Sequence, residues 1–210
     1  GDSGDSSDTT AANITGPSGS AGDATSAQSI AENTTAIHTF TANETVSWSF
    51  NGGADASKFS IDSSTGALSF LAAPDYENPT DNGLNNEYVV VVRATDNGSN
   101  TSDQTVTVTV TNVDDTNPLI QGNTGSAGAA TSTKTVSENQ ITVHTFTADE
   151  TVSWSLNGGA DASKFAINSS TGALSFSNAP DFENPTDANS GNDYVVIVKA
   201  TDSQGNISNQ

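Results

Sequence analysis

Short runs in which apolar side chains alternate with Ser and Thr recur along the chain: Val46, Trp48 and Phe50; Phe59 and Ile61; Leu68 and Phe70; Val106, Val108 and Val110. A period of two puts one face of each run on a core and the other in water, so each run is predicted to be a β-strand. The run EYVVVVRA from Glu87 to Ala94 is apolar at both parities and is expected to be the central strand, covered at least in part on both sides. Between the runs stand strand breakers: Asn51-Gly52-Gly53, Asp62-Ser63-Ser64-Thr65-Gly66, Asn78-Pro79, Asn97-Gly98 and Asn117-Pro118. No stretch carries helical periodicity.

The pattern is written twice. Glu32–Gln104 matches Glu138–Gln210 without a gap at an offset of 106 residues, with 50 of 73 positions identical. The likeness extends upstream, where GPSGSAGDAT from Gly16 faces GNTGSAGAAT from Gly122. That period is too long for a solenoid turn and has the size of one β-sandwich domain. The expected fold is all-β: tandem Greek-key β-sandwiches of about seven strands each. Residues 1–13 read as a flexible acidic lead-in, 14–117 as the first repeat and 118–210 as the second. The stretch Gly122–Thr133 is either a loose loop or a hinge. After Gln104 the first repeat continues TVTVTVTNVDD, whereas Gln210, its counterpart, is the last residue. The second repeat is therefore expected to lack its last strand, leaving an apolar groove with two unpaired edges. Continuation of the same chain, or a strand donated by another, would fill it.

Composition changes the picture in two ways. Leu, Ile, Val and Phe account for 38 of 210 residues, and the formal charge is −20, a balance that alone would mark disorder. The regular spacing of the apolar runs argues instead for a thin-cored β protein. With 5 Lys and Arg against 25 Asp and Glu, phosphate backbones and anionic lipid are repelled, so no nucleic acid and no membrane insertion are expected, and cations are the natural partners. The absence of Cys excludes disulfides, thiolate catalysis, zinc–thiolate sites and iron–sulfur clusters. No apolar run approaches the ~18 residues of a membrane span. With no Met and no leader pattern, the sequence reads as an excerpt of a longer, processed chain. No Gly-x-Ser-x-Gly and no phosphate loop is present, so no enzymatic activity is expected.

Acidic residues gather at fixed places. Pro74-Asp75-Tyr76-Glu77-Asn78-Pro79 recurs as Pro180-Asp181-Phe182-Glu183-Asn184-Pro185. In extended backbone, Asp75 and Glu77 share one face and Tyr76 turns to the core. Two such anions ~5 Å apart repel by roughly 3 kcal/mol at an effective dielectric of ~20. A hard cation relieves this, and Ca²⁺ takes six to eight oxygens; the alternative is a solvated acidic turn. Oxygen ligands are also packed into Asn112-Val113-Asp114-Asp115-Thr116-Asn117-Pro118 between the repeats. Each copy further carries a Glu-Asn pair (Glu32, Glu138), an acidic pair before the Trp strand (Asn43-Glu44, Asp149-Glu150) and an Ala-Thr-Asp ending at Asp96 or Asp202.

On these residues the chain resembles, over essentially its whole length, the cadherin-like repeats of bacterial surface proteins and adhesins. The resemblance implies Ca²⁺ held between the domains. Its ligands would be Glu32, Asp75 and Glu77 from the first repeat, Asn112, Asp114 and Asp115 from the linker, and Asp149, Glu150 and Asp202 from the second repeat. Glu138, Asp181 and Glu183 would form a half-site toward a following repeat. Asn112 stands where the family has its first Asp, Thr116 replaces the final Asn, and Asp149-Glu150 compresses an Asp-x-Asp. Upstream in the first repeat, Glu44 and Asp96 face a lead-in offering only Asp5 and Asp8, so a complete site is not expected there. The implied function is a non-enzymatic extracellular module, at the cell surface or secreted, acting as a calcium-rigidified spacer of a bacterial adhesin. Its partners would be calcium ions and neighbouring repeats or like chains. The alternatives are a subunit of a self-assembling fibre or surface layer and a carbohydrate-binding adhesin module.

Other residues have plainer explanations. His38 and His144 are expected to be ordinary strand residues, and Trp48 and Trp154 core residues rather than a sugar-stacking platform. Asp62 is expected to close an Asx turn, as Asn168 can in the second copy. Asp55 and Asp161 are expected to cap a short helical turn.

Overall fold

A computed structural model describes residues 8–210, which divide into two compact units after Val113. The first unit contains β1 (Ile14–Thr15), β2 (Thr25–Ala31), β3 (Ala36–Thr39), β4 (Thr41–Ala42), β5 (Val46–Phe50), β6 (Phe59–Ile61), β7 (Ala67–Phe70), β8 (Glu87–Asp96) and β9 (Thr101–Thr111). One sheet has the order β2-β9-β8-β5 and the other β3-β7-β6, with β1 paired to β4. β8 is thus an interior strand. Its inward residues Tyr88, Val90, Val92 and Ala94 are fully buried, whereas Val89 and Val91 on the other face are only half-buried. β9 is antiparallel to β8 and parallel to β2, and it buries Val106, Val108 and Val110. Phe59 stacks on Phe70 at 4.7 Å, and Tyr88 meets Phe70 edge-on at 4.9 Å. Trp48 lies in the same core.

The breakers work as local hydrogen-bond devices. Asp62 Oδ1 accepts the N–H groups of Ser64 and Thr65 at 2.9 and 2.8 Å, and Asn168 Oδ1 accepts those of Ser170 and Thr171. Gly66 closes this turn at φ +74, where a Cβ would stand 2.8 Å from the Phe40 carbonyl oxygen. Asp55 and Asp161 do precede short 3-10 turns, Ala56–Lys58 and Ala162–Lys164, but neither side chain caps its turn. β5 ends at Phe50, so no strand receives the Val89 N–H; buried Asp55 does, at 2.8 Å, and it takes the Asn82 N–H at 2.6 Å as well. Asp161 does the same for Val195 and Ala188.

The expected flexible lead-in is replaced, over residues 8–13, by a tied segment. Asn100 Nδ2 donates to the Asp8 carbonyl, Ser102 Oγ to the Ala12 carbonyl, and the Asn13 N–H to Asn43 Oδ1. Ala12 is buried. Asp5 and the rest of residues 1–7 lie outside the described residues.

The second unit contains β10 (Ile120–Gln121), β11 (Thr142–Thr145), β12 (Thr147–Ala148), β13 (Ser153–Leu156), β14 (Phe165–Ile167), β15 (Ala173–Phe176), β16 (Val198–Thr201) and β17 (Ile207–Asn209). Its sheets have the orders β13-β16-β17 and β11-β15-β14, with β10 paired to β12. Trp154, Phe146, Phe165 and Phe176 form its core. The Gly122–Thr133 stretch is a loop of this unit, closed by the Gly128 N–H on the Ile120 carbonyl and by Asn123 N–H on Ser132 Oγ. Residues 131–137 and 193–197, the counterparts of β2 and of the first half of β8, are not strands.

Candidate metal centres

Strand ends bring the acidic residues together. Among the described residues, four groups of three carboxylates each offer oxygens within 4.8 Å of one another: Asp8, Glu44 and Asp96; Glu32, Asp75 and Glu77; Asp114, Glu150 and Asp202; and Glu138, Asp181 and Glu183. The last two repeat the first two at the offset of 106. In the first unit, Asp96 ends β8, while Asn86 just before β8 holds the Tyr76 carbonyl beside Asp75 and Glu77. The two groups therefore sit at opposite ends of a ten-residue strand, about 30 Å long at ~3.3 Å per residue.

The upstream groups share one scaffold. Asp8 Oδ1 accepts the Thr10 N–H and hydroxyl, at 3.0 and 2.8 Å, and Asp114 Oδ1 accepts those of Thr116. Asn100 binds Asp96 through its N–H at 2.8 Å and its Nδ2 at 2.9 Å. Asn206 binds Asp202 in the same way and also donates to the Asp114 carbonyl at 3.0 Å. These donors hold the two aspartates of each group side by side. The Thr10 N–H, then its hydroxyl, lower the Asp8 pKa. Partial burial pushes Asp202 up, but the donors from Asn206 and Gly205 outweigh it and keep it below the usual range. Desolvation, followed by the charges of Asp114, Asp202 and Asp149, pushes Glu150 up. The group thus sets an acid whose charge its donors favour beside one whose charge desolvation, and then its neighbours, oppose.

Downstream, Glu32 is buried to 2% exposure. Its two oxygens accept the Tyr76 N–H at 2.7 Å and the Val113 N–H at 2.8 Å. Asp75 accepts both the N–H and the Nδ2 of Asn78, and Glu77 accepts Asn112 Nδ2 at 2.6 Å. The Asp75 turn ends the extended backbone, so Tyr76 does not reach the core: it is 37% exposed, and Phe182 is 63% exposed. In the second unit Glu138 accepts the Phe182 N–H, and all three acids are exposed.

Asp115 and Asp149 stand outside the four groups. Asp149 Oδ1 accepts the Leu119 N–H at 2.7 Å, the role Asn43 has toward Asn13. Asp8 is the residue that reading the sequence undervalued. Its signal was present, because Asp8-x-Thr10 stands 106 residues before Asp114-x-Thr116. The donor sets are all oxygen, with no His or Cys in them, which fits a hard cation such as Ca²⁺ and not zinc or copper.

Comparisons with known proteins agree with this architecture. Residues 24–111 match the model of the cadherin domain. Human Protocadherin Fat 1 is 30% identical over 173 residues, which is 77% of this chain and 3% of that protein's length. Among solved structures, mouse cadherin-23 EC22-24 aligns with a TM-score of 0.53 at 19% identity, over 95% of this chain and 64% of the other. Human protocadherin-24 EC1-2 aligns with a TM-score of 0.50 at 17% identity, over 88% of each. At these identities the structures speak to fold alone. Among the described residues no helix is long and apolar enough to cross a membrane. The family-model match covers 24–111, and Glu138–Gln210 repeats Glu32–Gln104, most of that segment.

Proposed function

We propose that the chain is a non-enzymatic extracellular spacer whose repeats bind Ca²⁺ at their strand ends. The observation that carries this reading is that each of two all-carboxylate groups, one upstream and one downstream in the first unit, recurs at the equivalent place in the second. Asn112 and Asp114, two residues apart, are bound into groups of different units. Cation binding at both groups would stiffen the segment that joins the units, as a spacer needs. Neutralising clustered acids also removes repulsion in the folded state, so binding adds stability, about 2.7 kcal/mol at a hundredfold excess over Kd. A cell-surface adhesin is the setting this reading fits. The test is small-angle scattering and thermal melting of the full chain in Ca²⁺ and in chelator. The expected result is a longer maximum dimension and a higher Tm in Ca²⁺; no change in either refutes the proposal.

A further inference from the structure

Four Asn-Gly pairs stand in the chain: Asn51-Gly52, Asn82-Gly83, Asn97-Gly98 and Asn157-Gly158. In such a pair the Gly nitrogen can close on the Asn side-chain carbon, because no Cβ on the second residue stands in its way. The attack needs the side-chain amide free to leave and the Gly N–H free to react. In three of the four pairs one of these groups is held. Asn51 Nδ2 donates to Asp103 Oδ2 at 2.9 Å, Asn157 Nδ2 to Asn209 Oδ1 at 3.0 Å, and the Gly83 N–H to Asp81 Oδ2 at 3.0 Å.

Asn97-Gly98 differs. The pair lies in the turn between β8 and β9, where the Ser99 N–H meets the Asp96 carbonyl at 3.2 Å and Ser99 takes φ +68. Asn97 is exposed, and among the described residues neither its side chain nor the Gly98 N–H makes a hydrogen bond. The second copy supplies the contrast. Ser203-Gln204 stands in place of Asn97-Gly98, and the Gln204 N–H, the counterpart of Gly98, is tied to Asp202 Oδ1 at 2.9 Å. The turn also lies against the upstream acids: a Cβ on Gly98 would stand 2.9 Å from the Asp8 carbonyl oxygen and 3.3 Å from Asp96 Oδ1.

We infer that Asn97 is a self-modification site of the folded chain. The Gly98 nitrogen attacks Asn97 Cγ and gives up its proton, the Cγ–Nδ2 bond breaks, and Nδ2 leaves as ammonia, closing a five-membered succinimide. Water then opens the ring. Attack at Cγ leaves an aspartate at position 97; attack at the main-chain carbonyl leaves an isoaspartate, whose chain runs on through Cγ and is one carbon longer. Nothing is oxidised or reduced, and water is the sole co-reactant. Either product adds one negative charge at the end of β8, next to Asp96. The group of Asp8, Glu44 and Asp96 thus acquires a like-charged neighbour as the protein ages, whereas Asp114, Glu150 and Asp202, beside Ser203-Gln204, do not.

The experiment incubates the full chain at mildly alkaline pH, folded and in urea, with chelator present so that its outcome is independent of the cation reading. Trypsin, cutting after Lys58, Arg93, Lys134 and Lys164, places the four pairs in four separate peptides, and mass spectrometry follows the replacement of amide by acid in each. In urea the four should convert at comparable rates. In the folded chain Asn97 should outpace each of the others by about fivefold or more, since each of them must first break a hydrogen bond. Part of the product at position 97 should resist a protease that cuts before aspartate, the mark of isoaspartate and hence of ring closure. Conversion at Asn97 no faster than at Asn51, Asn82 and Asn157 in the folded chain, or a product containing aspartate alone, overturns the inference.

Discussion

Glu32→Gln separates a cation ligand from a hydrogen-bond clamp. Glu32 is buried and accepts two backbone N–H groups, from Tyr76 and Val113. Glutamine keeps the shape and one carbonyl oxygen, so one charge-assisted bond is lost, at a cost of about 1.5–3 kcal/mol. Against this, one Glu32 oxygen stands within 4.8 Å of an oxygen of Asp75 and of one of Glu77. Removing the Glu32 charge relieves a repulsion of up to roughly 3 kcal/mol per pair at a dielectric of ~20, reduced by salt because both neighbours are exposed. In chelator the two terms oppose each other and are similar in size, leaving a net change of about 1 kcal/mol or less. In Ca²⁺ at a hundredfold excess over Kd, the variant also forfeits its share of about 2.7 kcal/mol. The assay is urea unfolding followed by Trp48 fluorescence, with Trp154→Phe silencing the other unit, since each unit buries one Trp. Glu32→Gln should cost little in chelator and much more in Ca²⁺. Equal destabilisation in both conditions would show that Glu32 only clamps Tyr76 and Val113, and would refute the ligand assignment.

Three other substitutions probe the fold and its acids. Asp55→Ala removes a buried carboxylate that accepts the part-buried N–H groups of Asn82 and Val89, and should cost about 1.5–3 kcal/mol per bond lost in urea unfolding. Gly53→Ala puts a Cβ 2.5 Å from the Val90 Cα at φ +105, and should cost about 1–3 kcal/mol or more by the same assay. Asp62 is held at about 2, below its ordinary 3.8, by the Ser64 hydroxyl and then the Thr65 and Ser64 N–H groups. Its contribution is present above the unfolded pKa and lost as pH falls through 3.8 toward 2. Asp62→Asn should therefore flatten the first unit's Tm profile across that window and leave its Ca²⁺ response intact; an unchanged acid profile would contradict the assignment.

Much of the architecture was legible because its signals are local or repeated. Alternation located β5, β7 and β9, and the Asx turn at Asp62 follows from a five-residue pattern. The carboxylate groups were legible in part: Glu32, Asp75 and Glu77 meet in one group, but Asp8 joins Glu44 and Asp96 through ties of its segment to β9, Asn100 to Asp8 and Ser102 to Ala12, across 92 and 90 positions. A charged lead-in without alternation gives no sign of such long-range ties. Tyr76 defeated the period-two rule because Asp75 bends the chain with Asn78 before the alternation can act. Asp55 looked like a helix cap by spacing, whereas the early end of β5 left the Val89 N–H in need of an acceptor.

The central claim, that the recurring acids are Ca²⁺ ligands, is tested most directly by calorimetric titration of the full chain with Ca²⁺ at physiological ionic strength. The comparison is the variant carrying Glu32→Gln, Glu44→Gln, Glu138→Gln and Glu150→Gln, one substitution in each group. The account predicts saturable binding to the parent chain, lost in a variant that still unfolds cooperatively in chelator. No saturable binding to the parent, or identical isotherms for the two, would contradict it.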